Sequence, residues 1–160
     1  MDQTHLHLLI THLPIFGTFT GAIVLANGIF NKSLQVKFAA YYVLIVSALG
    51  AVISYLTGES AEETAEHIQG VAETAIEAHE DFAIFALWSL SILGIVCIAA
   101  LIFTRMKNKA SQPVAIAILI LTLISFAMAA RTGYLGGQIR HTEISGVQTL
   151  PVENQEFEHD

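Results

Sequence analysis

The sequence predicts an all-α integral membrane protein, an antiparallel up-down four-helix transmembrane bundle, and three observations carry that prediction. The 160 residues are 54% hydrophobic with mean hydropathy +0.61. Only 13% are charged, against the quarter or so usual in a soluble domain. The charge deficit is concentrated in four runs of 18 to 23 residues: Leu8 to Phe30, Phe38 to Thr57, Phe82 to Thr104 and Pro113 to Ala130. Each matches the roughly 20 residues a helix needs to cross the hydrocarbon core. The runs are uniformly apolar rather than alternating, which excludes barrel strands, and in lipid a helix satisfies its own backbone groups. The expected spans are 8–30, 38–57, 82–104 and 113–134, within one transmembrane domain over 1–146 that is followed by a flexible acidic tail over 147–160.

The elements follow in order. Asn31 to Lys37 is short enough to make the first two spans an antiparallel hairpin, and Arg105 to Gln112 does the same for the last two. Pro113 suits the first turn of the final helix, where its missing N–H costs nothing. The 59–81 connection has a possible capping box at Ser60 and Glu63. Its apolar residues (Ala61, Ala65, Ile68, Val71, Ala72, Ala75, Ile76) recur at near-helical spacing. One or two short amphipathic helices, broken near Gly70, are expected there over the outer mouth of the bundle. No repeat of fixed period is present. Gly17 and Gly21 form a GxxxG step, and Gly133, Gly136 and Gly137 crowd the end of the last span. Such residues let helices pack closely, or let a flat ligand lie against backbone, and close packing is the commoner use.

Charge sets the orientation. Lys32, Lys37, Arg105, Lys107 and Lys109 all fall between spans one and two or three and four. All fourteen acidic residues fall on the other side, with only Arg131 and Arg140 among them. The positive-inside rule then places the basic loops in the cytoplasm and both termini on the periplasmic side of a bacterial inner membrane. No cleavable signal peptide is evident. The net charge of −7 argues against nucleic acid. Cys97, the single cysteine, is expected to be a small packed residue inside span three.

Seven histidines are many for this length, and the up-down order brings several of them to one leaflet. His5, His7 and His12 open span one, His79 opens span three and His141 follows span four. His67 lies in the outer connection and His159 in the tail. Imidazole is a common ligand of haem iron, zinc and copper, and polar groups near lipid are costly unless used. Against this stands the plain alternative of histidines solvated at the interface. Arg131, Tyr134, Gln138 and His141 share one face of the last helix, at i, i+3, i+7 and i+10. Arg131 is expected to pair with Glu59, a haem propionate, a quinone oxygen or a lipid phosphate, or to snorkel. Tyr55 and Glu59 lie at the same level.

His7-Leu-Leu-Ile-Thr-His12-Leu-Pro14, then Thr57-Gly58, His79, and Gly136-Gly137 before His141 form an ordered set. It resembles the bacterial four-helix membrane family catalogued as Domain of Unknown Function family twenty-two thirty-one, over residues 5 to 142. Leu8 stands where the family usually has proline. Gln138-Ile139-Arg140 and Thr142 depart from its usual Gly-Gly…His-Gly ending. Relatives fused to Rieske or cytochrome c domains imply a setting of respiratory electron transfer.

The chain has neither a Cys-x-x-Cys-His site nor a cluster-binding cysteine set, so non-covalent haem b is the natural redox group. The expected axial pair is His12 and His79, with His7 and His141 as a second pair or as supporting hydrogen-bond partners, and Arg131 and Tyr134 near a propionate or the electron donor. The same histidines suit copper, zinc or iron without porphyrin, or a structural or assembly subunit of a respiratory complex. A di-iron centre is disfavoured because the only Glu-x-x-His is Glu156 to His159. Expected partners are the bilayer, quinol, respiratory-chain subunits or a periplasmic cytochrome, and further copies of the chain. With no nucleophilic triad or phosphate loop, an electron carrier or complex subunit is expected rather than a stand-alone enzyme.

Overall fold

Pro14 divides the first span. It has no N–H to offer Ile10, so the helix ladder lapses there, and helices α1 (Gln3–Ile10) and α2 (His12–Phe30) meet at a turn on Thr11. Beyond it come α3 (Leu34–Leu56), α4 (Glu73–Lys107) and α5 (Gln112–Arg140). This computed structural model describes residues 3–58, 73–107 and 112–140, and the described residues contain no strand. Four stretches are long and apolar enough to cross a membrane: His5–Phe30, Leu34–Leu56, Glu73–Met106 and Gln112–Ile139. The protein is an all-α membrane bundle.

Two stretches exceed their sequence-predicted spans. Residues 73–81 are not a separate segment over the bundle mouth but the opening turns of α4, which runs 35 residues without a break. The reason is local: Ala75, Ile76 and Ala78 are helix-compatible, and neither glycine nor proline falls between Glu73 and Gly94. At about 1.5 Å per residue α4 is roughly 50 Å long, well beyond a 30 Å hydrocarbon core. Its exposed Glu73, Glu77, Glu80 and Asp81 therefore stand on an extension outside the lipid. Similarly, α5 continues past Gly133, Gly136 and Gly137 to Arg140. Residues 59–72 and 141–160, hence the Ser60–Glu63 box, Glu59, His67, His141, the tail and His159, lie outside the described residues.

The end that carries the α2–α3 turn is tied by polar groups. The turn after α2 closes with Ser33 N donating to Gly28 O (3.1 Å) and Lys32 N to Ile29 O (3.2 Å), a Schellman arrangement with Lys32 in the left-handed region at φ 53°. Ser33 caps α3, its hydroxyl accepting from Val36 N. Lys37 is buried, and its Nζ donates to Gln112 Oε1 at the first residue of α5. Gln112 Nε2 in turn donates to Ile29 O at 2.9 Å, so one knot joins α2, α3 and α5.

The long helices form a closed ring of neighbours: α2 on α3, α3 on α4, α4 on α5 and α5 on α2. Small residues make the contacts close. A Cβ on Gly17 would stand 1.9 Å from Ser47 Oγ, and one on Gly21 would stand 2.4 Å from a Leu44 methyl. The GxxxG step is thus packed against α3, the first of its two sequence readings. Buried hydroxyls turn back on their own helices, Thr18 to Pro14 O and Thr122 to Ile118 O. Cys97 is fully buried in the core.

The ring is one hairpin used twice. His79 follows His7 by 72 residues, and at that offset buried Thr18, Leu25 and Ile29 of α2 fall on buried Leu90, Cys97 and Leu101 of α4. The second helices match at an offset of 78, which carries Leu34, the start of α3, onto Gln112, the start of α5. Buried Lys37, Ser47 and Ala51 then fall on buried Ala115, Ser125 and Ala129. With α2 opposite α4 and α3 opposite α5, the halves are related by a pseudo-twofold axis along the bundle, the parallel kind of membrane repeat. The change of offset between the helices is why no fixed period shows in the sequence.

Candidate functional site

His7 sits on α1 and packs against the end of α3. Its Nδ1 lies 2.8 Å from Ser54 O and 3.2 Å from Thr57 Oγ1. A carbonyl only accepts, so Nδ1 carries the proton and Nε2 holds the lone pair. Ser54 lies in the last turn of α3, where carbonyls lack a full set of helical donors. Gly58, just past the end of α3, lies beside the ring, where a Cβ would make ordinary van der Waals contact with His7 at 3.7 Å.

His79 repeats this arrangement on the second hairpin. From α4 its Nδ1 donates to Thr132 O of α5 at 3.0 Å. The residue four places on is Gly136, where a Cβ would stand 3.1 Å from His79 Cε1 and 3.3 Å from Nδ1. A Cβ there would make the ring give by a few tenths of an ångström. Both histidines are half-buried and both bridge two helices. Ser54 and Thr132 were not singled out from sequence; their signal is a Ser/Thr-x-x-x-Gly step at the end of each second helix.

His12 is placed differently. It is exposed on the outer face of α2, its Nδ1 donating to Leu8 O at 3.0 Å. Its ring runs nearly parallel to that of Phe16, 6.4 Å away. The structure therefore sets His12 outside the helix junctions that hold His7 and His79. His5 is also exposed.

Arg131 and Tyr134 flank Thr132 within one turn on the outward side of α5, both exposed. The Arg131 guanidinium lies 5.5 Å from the ring centre of Phe82 and 5.4 Å from that of Tyr134. Cation–π contact thus takes the place of an anionic partner among the described residues. Tyr134 OH accepts from Gln138 Nε2 at 3.2 Å, which confirms that these two share a face. His79, one turn before Phe82 on α4, belongs to the same junction. Tyr55 is exposed at the end of α3.

Among the described residues no three His, Cys, Asp or Glu side chains group as a metal site. Two shallow apolar grooves of about 250 Å³ open to the lipid side, one lined by Leu13, Gly17 and Val46, the other by Tyr55, Leu56 and Trp88. Neither is lined by a histidine. No curated protein and no solved structure matches the chain. A family model described as "Predicted membrane protein (DUF2231)" matches residues 3–149, nearly the full length. The chain belongs to that family of membrane proteins.

Proposed function

We propose that this protein is an electron carrier of the bacterial inner membrane that holds a b-type haem at the histidine-bearing end of its bundle. The observation that carries the reading is the state of the imidazoles. At His7 and His79 a main-chain carbonyl from a neighbouring helix takes the Nδ1 proton and orients the ring, the usual support of a metal-ligating histidine. A haem needs two protein ligands at most, whereas bare zinc or copper takes three or four. The donors at the helix junctions therefore suit haem better than a bare ion. When bound, the haem would supply the one-electron couple. Around it the chain's own residues orient the imidazoles, and Arg131 with Tyr134 offers a cation and a hydroxyl near His79 for a propionate or a quinol.

The side of the membrane follows from charge. Lys32 and Arg105 mark the inner end of the bundle, Arg105 donating to Tyr42 OH of α3 at 3.0 Å, while the acidic start of α4 marks the other. The positive-inside rule puts the histidines toward the periplasm, within reach of a soluble cytochrome or a respiratory subunit. An absorbance spectrum of the detergent-purified chain tests the function. A reduced-minus-oxidised Soret and α-band is expected. A colourless preparation carrying stoichiometric zinc or copper, or no metal and only co-purifying respiratory subunits, would overturn it in favour of a metal protein or an assembly subunit.

A further inference from the structure

Arg105 is the first charged residue of α4 after Asp81. The 23 uncharged residues between them, 82–104, rise about 35 Å as helix, slightly more than the roughly 30 Å of a hydrocarbon core. The Arg105 guanidinium thus stands at the level of one leaflet's phosphates. It is exposed, lies 5.8 Å from the ring centre of Phe38 and donates through Nη2 to Tyr42 OH at 3.0 Å. The Tyr42 oxygen accepts in that bond, so its own proton can go to a second partner. The chain supplies no anion at this end. The two connections here, 31–37 and 105–112, hold five basic residues and no acidic one.

Tyr42 also bounds the shallow apolar groove of about 250 Å³ between α2 and α3, together with Leu13, Gly17 and Val46. Leu13 packs at Gly50, eight residues beyond Tyr42 on α3. The groove therefore runs about 12 Å from the level of Arg105 toward the midplane, against roughly 15 Å for half a hydrocarbon core. It occupies the leaflet whose phosphates meet Arg105, and Tyr42 joins the charged end to the apolar trough. The geometry points to a binding site for one anionic phospholipid, its phosphate on Arg105 and Tyr42 and one acyl chain in the α2–α3 groove. Charge decides the class of lipid. A zwitterionic headgroup would bring an ammonium beside five basic residues, whereas a phosphatidylglycerol brings only negative charge. The site does not rest on the haem reading, nor on which side of the membrane this leaflet faces.

Lipid titration of the detergent-purified full chain, read by native mass spectrometry, tests the site. Phosphatidylglycerol should bind once per chain and more tightly than phosphatidylcholine. In Arg105→Gln its affinity should fall about tenfold or more, the worth of a charge-assisted hydrogen bond. Val46 lines the groove and is 48% exposed, so Val46→Trp fills the trough from the lipid side. That variant should also weaken the lipid while its helix content by circular dichroism stays unchanged. Lys32→Gln removes the same charge at the same end and should bind as the wild type does. Equal affinity for the two lipids, indifference to either Arg105→Gln or Val46→Trp, or an equal loss in Lys32→Gln would overturn the site. Inorganic phosphate displacing the lipid at comparable concentration would overturn it too, because the acyl chain would then contribute nothing.

Discussion

At Ser54 and again at Thr132, a carbonyl near the end of a helix accepts from a histidine of another helix, and a glycine four residues on lies beside each ring. A Cβ at Gly136 would press on the His79 ring at 3.1 Å, whereas one at Gly58 would meet His7 at an ordinary 3.7 Å. The constraint is tighter in the core at Gly17, where a Cβ would overlap Ser47 Oγ. Gly17→Ala should therefore destabilise the bundle by about 1–3 kcal/mol through overpacking, read as a lower thermal midpoint in detergent. The pair Gly17→Ala with Ser47→Gly should recover most of that loss. An unchanged midpoint in the single variant would mean that α2 and α3 do not approach this closely.

Among the elements, the inner knot sets how the hairpins join. Lys37 is 2% exposed and Gln112 Oε1 is its acceptor, while the Gln112 amide holds Ile29 O. Gln112→Ala would leave a buried ammonium without that acceptor and Ile29 O without its donor. The expected cost is about 1–3 kcal/mol, since an unsatisfied buried partner bears its full desolvation. Removing both partners should hurt less: Lys37→Met with Gln112→Leu is expected to be more stable than Gln112→Ala alone. Thermal unfolding of the three variants decides this, and equal midpoints would show the knot to be incidental. Elsewhere the halves use related contacts in different chemistry. Ser89 and Ser125 share a hydrogen bond of 2.7 Å at the level where the first hairpin sets Gly17 against Ser47.

For the whole molecule, the acidic extension of α4 at one end and the basic turns at the other support the proposed orientation. Accessibility to a membrane-impermeant maleimide checks this orientation in intact cells freed of outer membrane. In a Cys97→Ser background, Glu73→Cys should label from outside. Asn31→Cys, in the turn between α2 and α3, should label only after lysis. Labelling of Asn31→Cys from outside would invert the topology, and the histidines would then face the cytoplasm.

Much of this was legible along the chain. Uniform apolar runs of membrane-spanning length allow only helices in lipid, so fold class, span number and hairpin pairing follow from composition and loop length alone. His7, His79, Arg131 and Tyr134 also stood out, because polar groups beside apolar runs are conspicuous. The tertiary structure decided where each histidine packs. His7 and His12 are five residues apart in sequence, on either side of the turn that Pro14 imposes, and only packing places the first at α3 and the second outside. The second copy of the hairpin was hidden too. Burial, not identity, is what repeats: Thr18 answers to Leu90 and Lys37 to Ala115 because packing constrains where a residue faces far more tightly than which residue it is. The four helices with histidines gathered at one end were readable as a string; the two-fold use of one hairpin to hold them was not.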